Sequence, residues 1–148
     1  MTVINPGLFT SNRQDWATPW DLFLKLHSEF YFTLDVCATK ENAKCGKYYT
    51  PSIDGLEQSW QGERCWMNPP YGREIRAWTK KAFEESAHKK GFVVGLLPAR
   101  TDTFWFHEYV YGCAQIRFLK GRVKFEGAVH SAPFPSMVVI WGDSGKGR

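Results

Sequence analysis

Asn68-Pro69-Pro70-Tyr71 is the stretch of the chain best suited to chemistry. An asparagine set directly before two prolines holds a side-chain carbonyl beside a backbone carbonyl in a stiff loop. Proline has lost its N–H but keeps its C=O as an acceptor. Two fixed acceptors suit an amino group that must donate two hydrogens, and the ring of Tyr71 offers a face on which a planar group can stack. The same four residues also read as a turn in which Asn68 caps the next helix and Tyr71 packs. Their position, after an apolar run and before an amphipathic stretch, favours the chemical reading. Asp35 ends an earlier apolar run, although an acid there is often only a helix cap. Asp54-Gly55 alone is a turn signal, and Thr18-Pro19 alone is a helix start. Taken together, these residues suggest a pocket for a cofactor.

Other chemistries find little support. Cys37, Cys45, Cys65 and Cys113 form no CxxC pair and no Cys/His ligand spacing, so neither zinc nor a disulfide framework is expected. No cysteine follows a proline, as covalent attack on cytosine C5 would require, and Cys37 and Cys113 read as small buried hydrophobes. No GxGxxG follows a strand, which disfavours a nicotinamide dehydrogenase.

The elements that must position these residues follow from periodicity. Leu22, Phe23, Leu26 and Phe30 recur at helical spacing, with Thr18 as the expected N-cap and Pro19 as the first helical residue. Residues 32–37 and 64–67 are short buried-strand candidates, and the two prolines after Asn68 stop the second. Residues 39–59 are polar and hold at most a short helix. Residues 74–90 are helical by composition, with Ile75, Trp78, Ala82 and Phe83 on one face. Residues 91–97 carry the clearest strand signal, and residues 103–111 suit another helix. Alternation at 114–119 and 123–125 and the apolar run 137–141 complete the pattern. Strand–helix–strand–helix followed by a run of strands implies an α/β sheet with an antiparallel end. In such sheets the site lies at the carboxyl ends of the strands, where Asp35, Asn68 and the loop after Leu97 all fall.

Composition sets the outer bounds. A chain of 148 residues makes one domain, able to bury roughly 70% of the surface its unfolded form exposes. Residues 1–15 read as a loose arm, 16–142 as the folded domain and 143–148 as a basic tail. Hydrophobic residues at 43% and charged residues at 23% exclude a disordered chain. Nineteen Lys and Arg against fifteen Asp and Glu give +4, a mild tilt toward polyanionic partners. Residues 1–10 lack the form of a signal peptide, and no apolar run approaches the roughly 20 residues of a membrane span. Free thiols fit a reducing cytoplasm.

Several stretches in order resemble the phage-type DNA adenine-N6-methyltransferase (Dam) family. They are Trp16-Ala17-Thr18-Pro19 with Phe23, Leu34-Asp35-Val36-Cys37-Ala38 with Asn42-Ala43, and Asp54-Gly55-Leu56 with Trp60. Asn68-Pro69-Pro70-Tyr71, Leu97-Pro98-Ala99-Arg100 and Gly121-Arg122-Val123-Lys124-Phe125 follow. The resemblance implies a compact Rossmann-like methyltransferase fold with a mixed central sheet, helices on both faces and an antiparallel C-terminal strand pair. It implies S-adenosylmethionine as methyl donor and double-stranded DNA as substrate, in the cytoplasm of a bacterial host, with GATC as the suggested site. Asn68 and the carbonyl of Pro69, braced by Pro70, would hold the adenine amino group, and Tyr71 would stack on the extruded base. Asp35 would face the methionine or ribose part of the cofactor and Asp54 its adenine amino group. Thr18 and Pro19 would close over the methionine end, and Cys37, Ala38 and Leu56 would belong to the same surface. One departure stands out: residues 36–42 lack the glycine-rich turn common after the first strand of methyltransferases.

The reaction so implied is direct attack of adenine N6 on the sulfonium methyl, with no covalent enzyme intermediate. The base must leave the duplex, at a cost of a few kcal/mol. Arg100 follows a strand at the catalytic edge and is a candidate DNA contact. Lys120, Arg122 and Lys124 alternate, so on a strand they would share one face and could meet phosphates, or simply face solvent. The alternatives are an N-methyltransferase acting on glutamine or another amide, which uses the same acceptor pair, and a methyltransferase-fold binding protein without catalysis.

Overall fold

A computed structural model describes residues 16–143; the expected arm (1–15) and all but the first residue of the expected tail lie outside the described residues. Helix α1 (Trp20–Phe30) is followed by strand β1 (Leu34–Asp35), a 3-10 turn at Gly55–Glu57, and strand β2 (Arg64–Met67). Then come helix α2 (Ile75–Lys89), strand β3 (Phe92–Pro98), a single π-turn at Phe106–Val110, and strands β4 (Gln115–Phe118) and β5 (Ser136–Trp141). The sheet order is β1-β2-β3-β5-β4. The first three strands run parallel, and β5 pairs antiparallel with both β3 and β4. The sheet is therefore mixed, with the antiparallel pair at its C-terminal end.

Full burial on both faces explains why β3 and β5 are unbroken apolar runs instead of alternating ones. Along β2 successive side chains point to opposite faces. Trp66 meets Phe23 of α1 at 5.3 Å and Phe32 at 5.4 Å. Cys65 faces the other way, its Sγ 3.9 Å from the carbonyl of Trp60, whose ring stacks on Trp78 of α2. The two helices thus cover opposite faces. Phe23, Leu26 and Phe30 form the buried stripe of α1, and Ile75, Trp78, Ala82 and the unexpected Glu85 that of α2. A bidentate pair from Arg117 to Glu29, at 2.8 and 2.6 Å, fastens edge strand β4 to α1.

Three local expectations are corrected. Pro19 lies at the cap position with extended backbone, and the helix begins at Trp20. Thr18 does not cap it. Instead the Trp20 N–H donates to Glu126 Oε1 at 3.1 Å, a partner distant in sequence, and the Thr18 hydroxyl turns toward Asn68. Residues 123–125 form no strand; their alternation reflects a loop whose buried Phe125 anchors it between exposed Lys124 and Glu126. Cys113 is exposed and Cys37 half-buried, while Cys65 is the buried thiol, because Cys113 falls in the turn before β4 and Cys65 inside β2.

Candidate active site

The parallel strands β1 and β2 deliver Asp35 and Asn68 side by side at their carboxyl ends, since Asp35 pairs in register with Trp66, two residues before Asn68. β2 stops there because two prolines remove the donors a ladder requires. Asn68 is half-buried, and its amide is held from both ends. Nδ2 donates to the carbonyl of Trp16 and to Thr18 Oγ1 at 2.9 Å. A carbonyl accepts only, so the Trp16 oxygen fixes which way the amide faces. The Tyr71 hydroxyl lies 2.8 Å from Asn68 Oδ1 and 2.8 Å from the carbonyl of Leu96, with one proton to offer the two acceptors. Both amide hydrogens of Asn68 are engaged, and Oδ1 keeps an acceptor lone pair for a further donor. The adjoining Pro69 carbonyl receives no hydrogen bond among the described residues.

The expectation that Tyr71 offers an open stacking face is not met in this conformation. Its ring is buried and meets Phe134 at 5.6 Å and Phe125 at 6.3 Å, both nearly edge-on. Trp16 packs on the same two rings, each at 5.3 Å. Burial drives the phenol pKa well above its ordinary value, so Tyr71 stays a neutral donor. It reaches Asn68 through its hydroxyl, not outward through its ring.

Two adjoining cavities open beside this corner. The first, about 120 Å³, is lined by Thr18, Asp35, Cys37, Ala38, Lys44 and Asn68–Pro70 among others. The second, about 250 Å³, is lined by Asp54, Gly55, Leu56, Glu74 and Trp78, and shares Cys37, Pro51 and Pro70 with the first. Together they fall in the range of small-molecule pockets, roughly 300–1,000 Å³. The residues expected to hold a cofactor are thus brought together, with one exception. Pro19 lines neither cavity; its carbonyl instead accepts the first helical bond, from Phe23 N.

The turn after β1 shows how a chain without a glycine-rich segment shapes this wall. Asp35 is buried, and its carboxylate accepts from Cys37 N at 3.2 Å and from Lys44 N at 3.0 Å. Those two amides fold residues 36–44 back over the strand end. Burial outweighs both donors and raises the Asp35 pKa to about 7. Burial likewise pushes the Cys37 thiol up to about 12, which makes it an inert wall and not a nucleophile. Asp54 has φ +64° and accepts from Leu56 N at 3.1 Å. Gly55 is required next to it, because a Cβ there would stand 2.1 Å from the carbonyl of Val36. Trp78 then closes the second cavity, stacked on Trp60, whose Nε1 donates to the carbonyl of Gly55 at 2.9 Å.

The four expected DNA contacts are all exposed, in two places. Arg100 follows β3, its guanidinium 5.7 Å from the ring of Phe134, and so joins the aromatic cluster behind Tyr71. Lys120, Arg122 and Lys124 stand on the loop after β4, so they share no strand face, and Arg122 Nη1 reaches the carbonyl of Ala132 at 3.4 Å. That loop reaches the site through Phe125 and through Glu126, whose N–H donates to the carbonyl of Ala17 at 2.9 Å. Lys44, Trp78, Glu126 and Phe134 were not anticipated. Lys44 and Trp78 lie on segments that read as polar loop and helix core, and Glu126 carries no local signal. No helix among the described residues is long and apolar enough to cross a membrane, and no cluster among them could hold a metal ion.

Comparison with known proteins bears on this arrangement. The family model described as DNA N-6-adenine-methyltransferase (Dam) matches residues 7–146. A protein of Haemophilus phage HP1 (strain HP1c1), named DNA N-6-adenine-methyltransferase, is 35% identical over 118 residues, covering 78% of this chain and 68% of the relative. One of Escherichia phage T1, with the same name, is 33% identical over 110 residues, covering 73% of this chain and 45% of the relative. The chain therefore spans less than half of the T1 protein's length.

Proposed function

The chain belongs to the DNA N-6-adenine-methyltransferase (Dam) family, and from that premise we propose that it transfers a methyl group from S-adenosylmethionine to the exocyclic N6 of adenine in double-stranded DNA. The observation that carries the reading is the amide of Asn68. With both Nδ2 hydrogens engaged by Trp16 and Thr18, only Oδ1 can serve an incoming amino group, next to the carbonyl of Pro69, which receives no hydrogen bond among the described residues.

The adjoining cavities suit the cofactor by their chemistry. The larger has an indole wall at Trp78 and an acid at Asp54 for an adenine, and the smaller has the opposite charges of Asp35 and Lys44 for an amino-acid end. When bound, S-adenosylmethionine supplies an electrophilic methyl on a sulfonium. The chain's own task concerns the nucleophile. The N6 lone pair of adenine is delocalised into the ring, and two acceptors on its hydrogens favour a pyramidal nitrogen and stabilise the positive charge that develops there. Holding the amino group in line can contribute up to roughly 7–11 kcal/mol to lowering the barrier. Tyr71 keeps Asn68 in place, and Thr18 and Trp16 complete the brace. No side chain need remove a proton before attack.

The target nitrogen is paired inside a duplex, so the adenine must swing out to reach Asn68. Exposed Arg100, Lys120, Arg122 and Lys124 supply the phosphate contacts that hold the opened duplex. GATC is the proposed site, read by residues 100–103 and 121–135.

The test is transfer of label from methyl-labelled S-adenosylmethionine to unmethylated duplex DNA, followed by digestion to nucleosides. Label in N6-methyladenine, absent from DNA premethylated at GATC, is the expected result. Label in cytosine, or none in any DNA despite cofactor binding, would overturn the reading. Label on other adenines would overturn only the GATC assignment.

A further inference from the structure

Lys44 is the one cation among the described residues lining the smaller cavity, whose pair of opposite charges is read above as suited to an amino-acid end. Its backbone N–H is tied to Asp35 Oδ2 at 3.0 Å, so the side chain rises from a fixed point on the cavity wall. The ammonium lies 4.1 Å from the centre of the Trp20 ring, and Trp20 is itself held by Glu126 through its N–H at 3.1 Å. Lys44 thus has a platform, and its stem is half-buried. Among the described residues no carboxylate lies within ion-pair distance of Nζ, whereas Lys47, Lys81 and Lys89 each have one. Burial draws the Lys44 pKa down while Glu126 and Asp35 pull it up from a distance. A positioned, partly desolvated cation without an ion-pair partner among the described residues, on the wall of a cavity that a buried acid also lines, has the charges that complement a zwitterionic amino acid.

We propose that the Lys44 ammonium is the seat of the carboxylate at the methionine end of S-adenosylmethionine, with Trp20 as its platform; this rests on the reading of the two cavities as the cofactor site. The assignment follows from the division of the pocket. The larger cavity has the aromatic wall, the smaller has both charges, and the two meet at Cys37, Pro51 and Pro70, the last of them next to the acceptors proposed for the target amino group. A sulfonium methyl presented at that junction leaves the amino-acid end in the smaller cavity, where Lys44 is the cation available to its carboxylate. The competing use of such a cation is a DNA phosphate.

Equilibrium binding to the full chain separates these uses. The probes are S-adenosylhomocysteine, which carries the carboxylate, and 5′-methylthioadenosine, which lacks the whole amino-acid end; decarboxylated S-adenosylmethionine lacks the carboxylate alone. Lys44→Gln should weaken S-adenosylhomocysteine by about 10- to 100-fold, the effect of removing one charge-assisted hydrogen bond, and leave both carboxylate-free probes within about twofold. Lys44→Arg should restore most of the affinity for S-adenosylhomocysteine. Equal weakening of all three probes, or of none, would overturn the assignment while leaving the cofactor site standing. So would an unchanged S-adenosylhomocysteine affinity with a shallower salt dependence of DNA binding, which would make Lys44 a phosphate contact. If the unmodified protein binds none of the probes, the cofactor reading itself fails.

Discussion

In residues 68–71 each polar side-chain atom is partnered within the protein, while residues 120–135 leave Lys120 and Lys124 to solvent and tie themselves down at Phe125, Glu126, Ala132 and Phe134. Both regions meet in the cluster of Trp16, Tyr71, Phe125 and Phe134. The corner is over-determined and its reactive acceptor is set to within the play of a hydrogen bond. The loop is anchored at points, with exposed side chains between them. The contrast supports the proposal of chemistry at the braced corner and of DNA contact at the exposed loop. The sharpest way to break it is Asn68→Ala. That change should lower kcat by about 10²–10³-fold, as removal of a preorganised charge-stabilising group does, with DNA affinity changed less than threefold. Single-turnover transfer and a DNA-binding titration on the same preparation check this. A variant within a few-fold of the parent would reduce the corner to a structural turn.

Asp35 sharpens the contrast from within the same pocket, for it is more deeply buried than Asn68, and its carboxylate is held by backbone amides of the polar loop after β1. Its pKa rises from an ordinary 3.8 to about 7 on folding, so the folded state favours the protonated carboxyl. The associated stability is present below the unfolded value and is lost as pH rises through about 7, a change on the order of a few kcal/mol. The melting temperature of the ligand-free protein should fall over that window, and Asp35→Asn should remove this part of the fall. Cofactor binding should show the opposite trend: a cationic ligand prefers ionised Asp35, so affinity should rise from pH 6 to 8. A flat affinity profile over that range would separate Asp35 from the ligand.

Tyr71 comes next in size and bears on the corner alone. Tyr71→Phe keeps the ring and removes the hydroxyl shared by Asn68 and Leu96. A positioning residue should then give a kcat lower by about tenfold with KM for DNA unchanged, and a stability decrease of about 0.5–1.5 kcal/mol. A ring that stacks on the extruded base would instead leave kcat intact, since phenylalanine stacks as well. Steady-state kinetics with a thermal melt distinguish the two.

What could be read from the sequence follows the same division. The corner was legible because Asn-Pro-Pro-Tyr fixes its own backbone: two prolines end the strand wherever it is placed. The strands β2, β3 and β5 and both helices were legible from apolar runs and helical spacing, which are local. Residues 123–125 were not, because a strand needs a partner and alternation alone does not supply one; here a single buried ring, Phe125, produces the alternation. Thr18-Pro19 misled for a related reason. Its local signal is that of a helix cap, but two distant residues, Asn68 and Glu126, compete for the groups involved and win. Tyr71 shows the limit most plainly, since nothing in four residues tells whether a ring will face solvent or Phe125 and Phe134. Lys44 is invisible in the same sense: its importance comes from the Trp20 ring beneath it and the cavity beside it.

Glu126 joins the two regions, and its removal should be felt in both. Glu126→Ala takes away the acceptor for the Trp20 N–H and the negative charge at the start of α1, worth about 0.5–2 kcal/mol by analogy with other helix caps. Chemical denaturation should show the drop in midpoint. Because the Glu126 backbone still bonds Ala17, the loop should stay in place and kcat should change little.

The smallest effects belong to the basic residues one at a time. Lys120→Ala and Lys124→Ala remove exposed side chains with no ion-pair partner among the described residues, so stability should move by less than about 0.5 kcal/mol. If the side chain meets a phosphate, its removal should make the slope of log affinity against log salt shallower by about 0.9, uniformly across DNA sequences. Arg122→Ala should differ from both, because its guanidinium also reaches the carbonyl of Ala132 and braces the loop. Its removal should therefore lower affinity further than the slope change accounts for. Titrations at several salt concentrations separate the two quantities. Slopes identical to the parent for all three variants would remove this loop from the DNA interface and leave Arg100, on the rigid side of the comparison, as the residue to pursue.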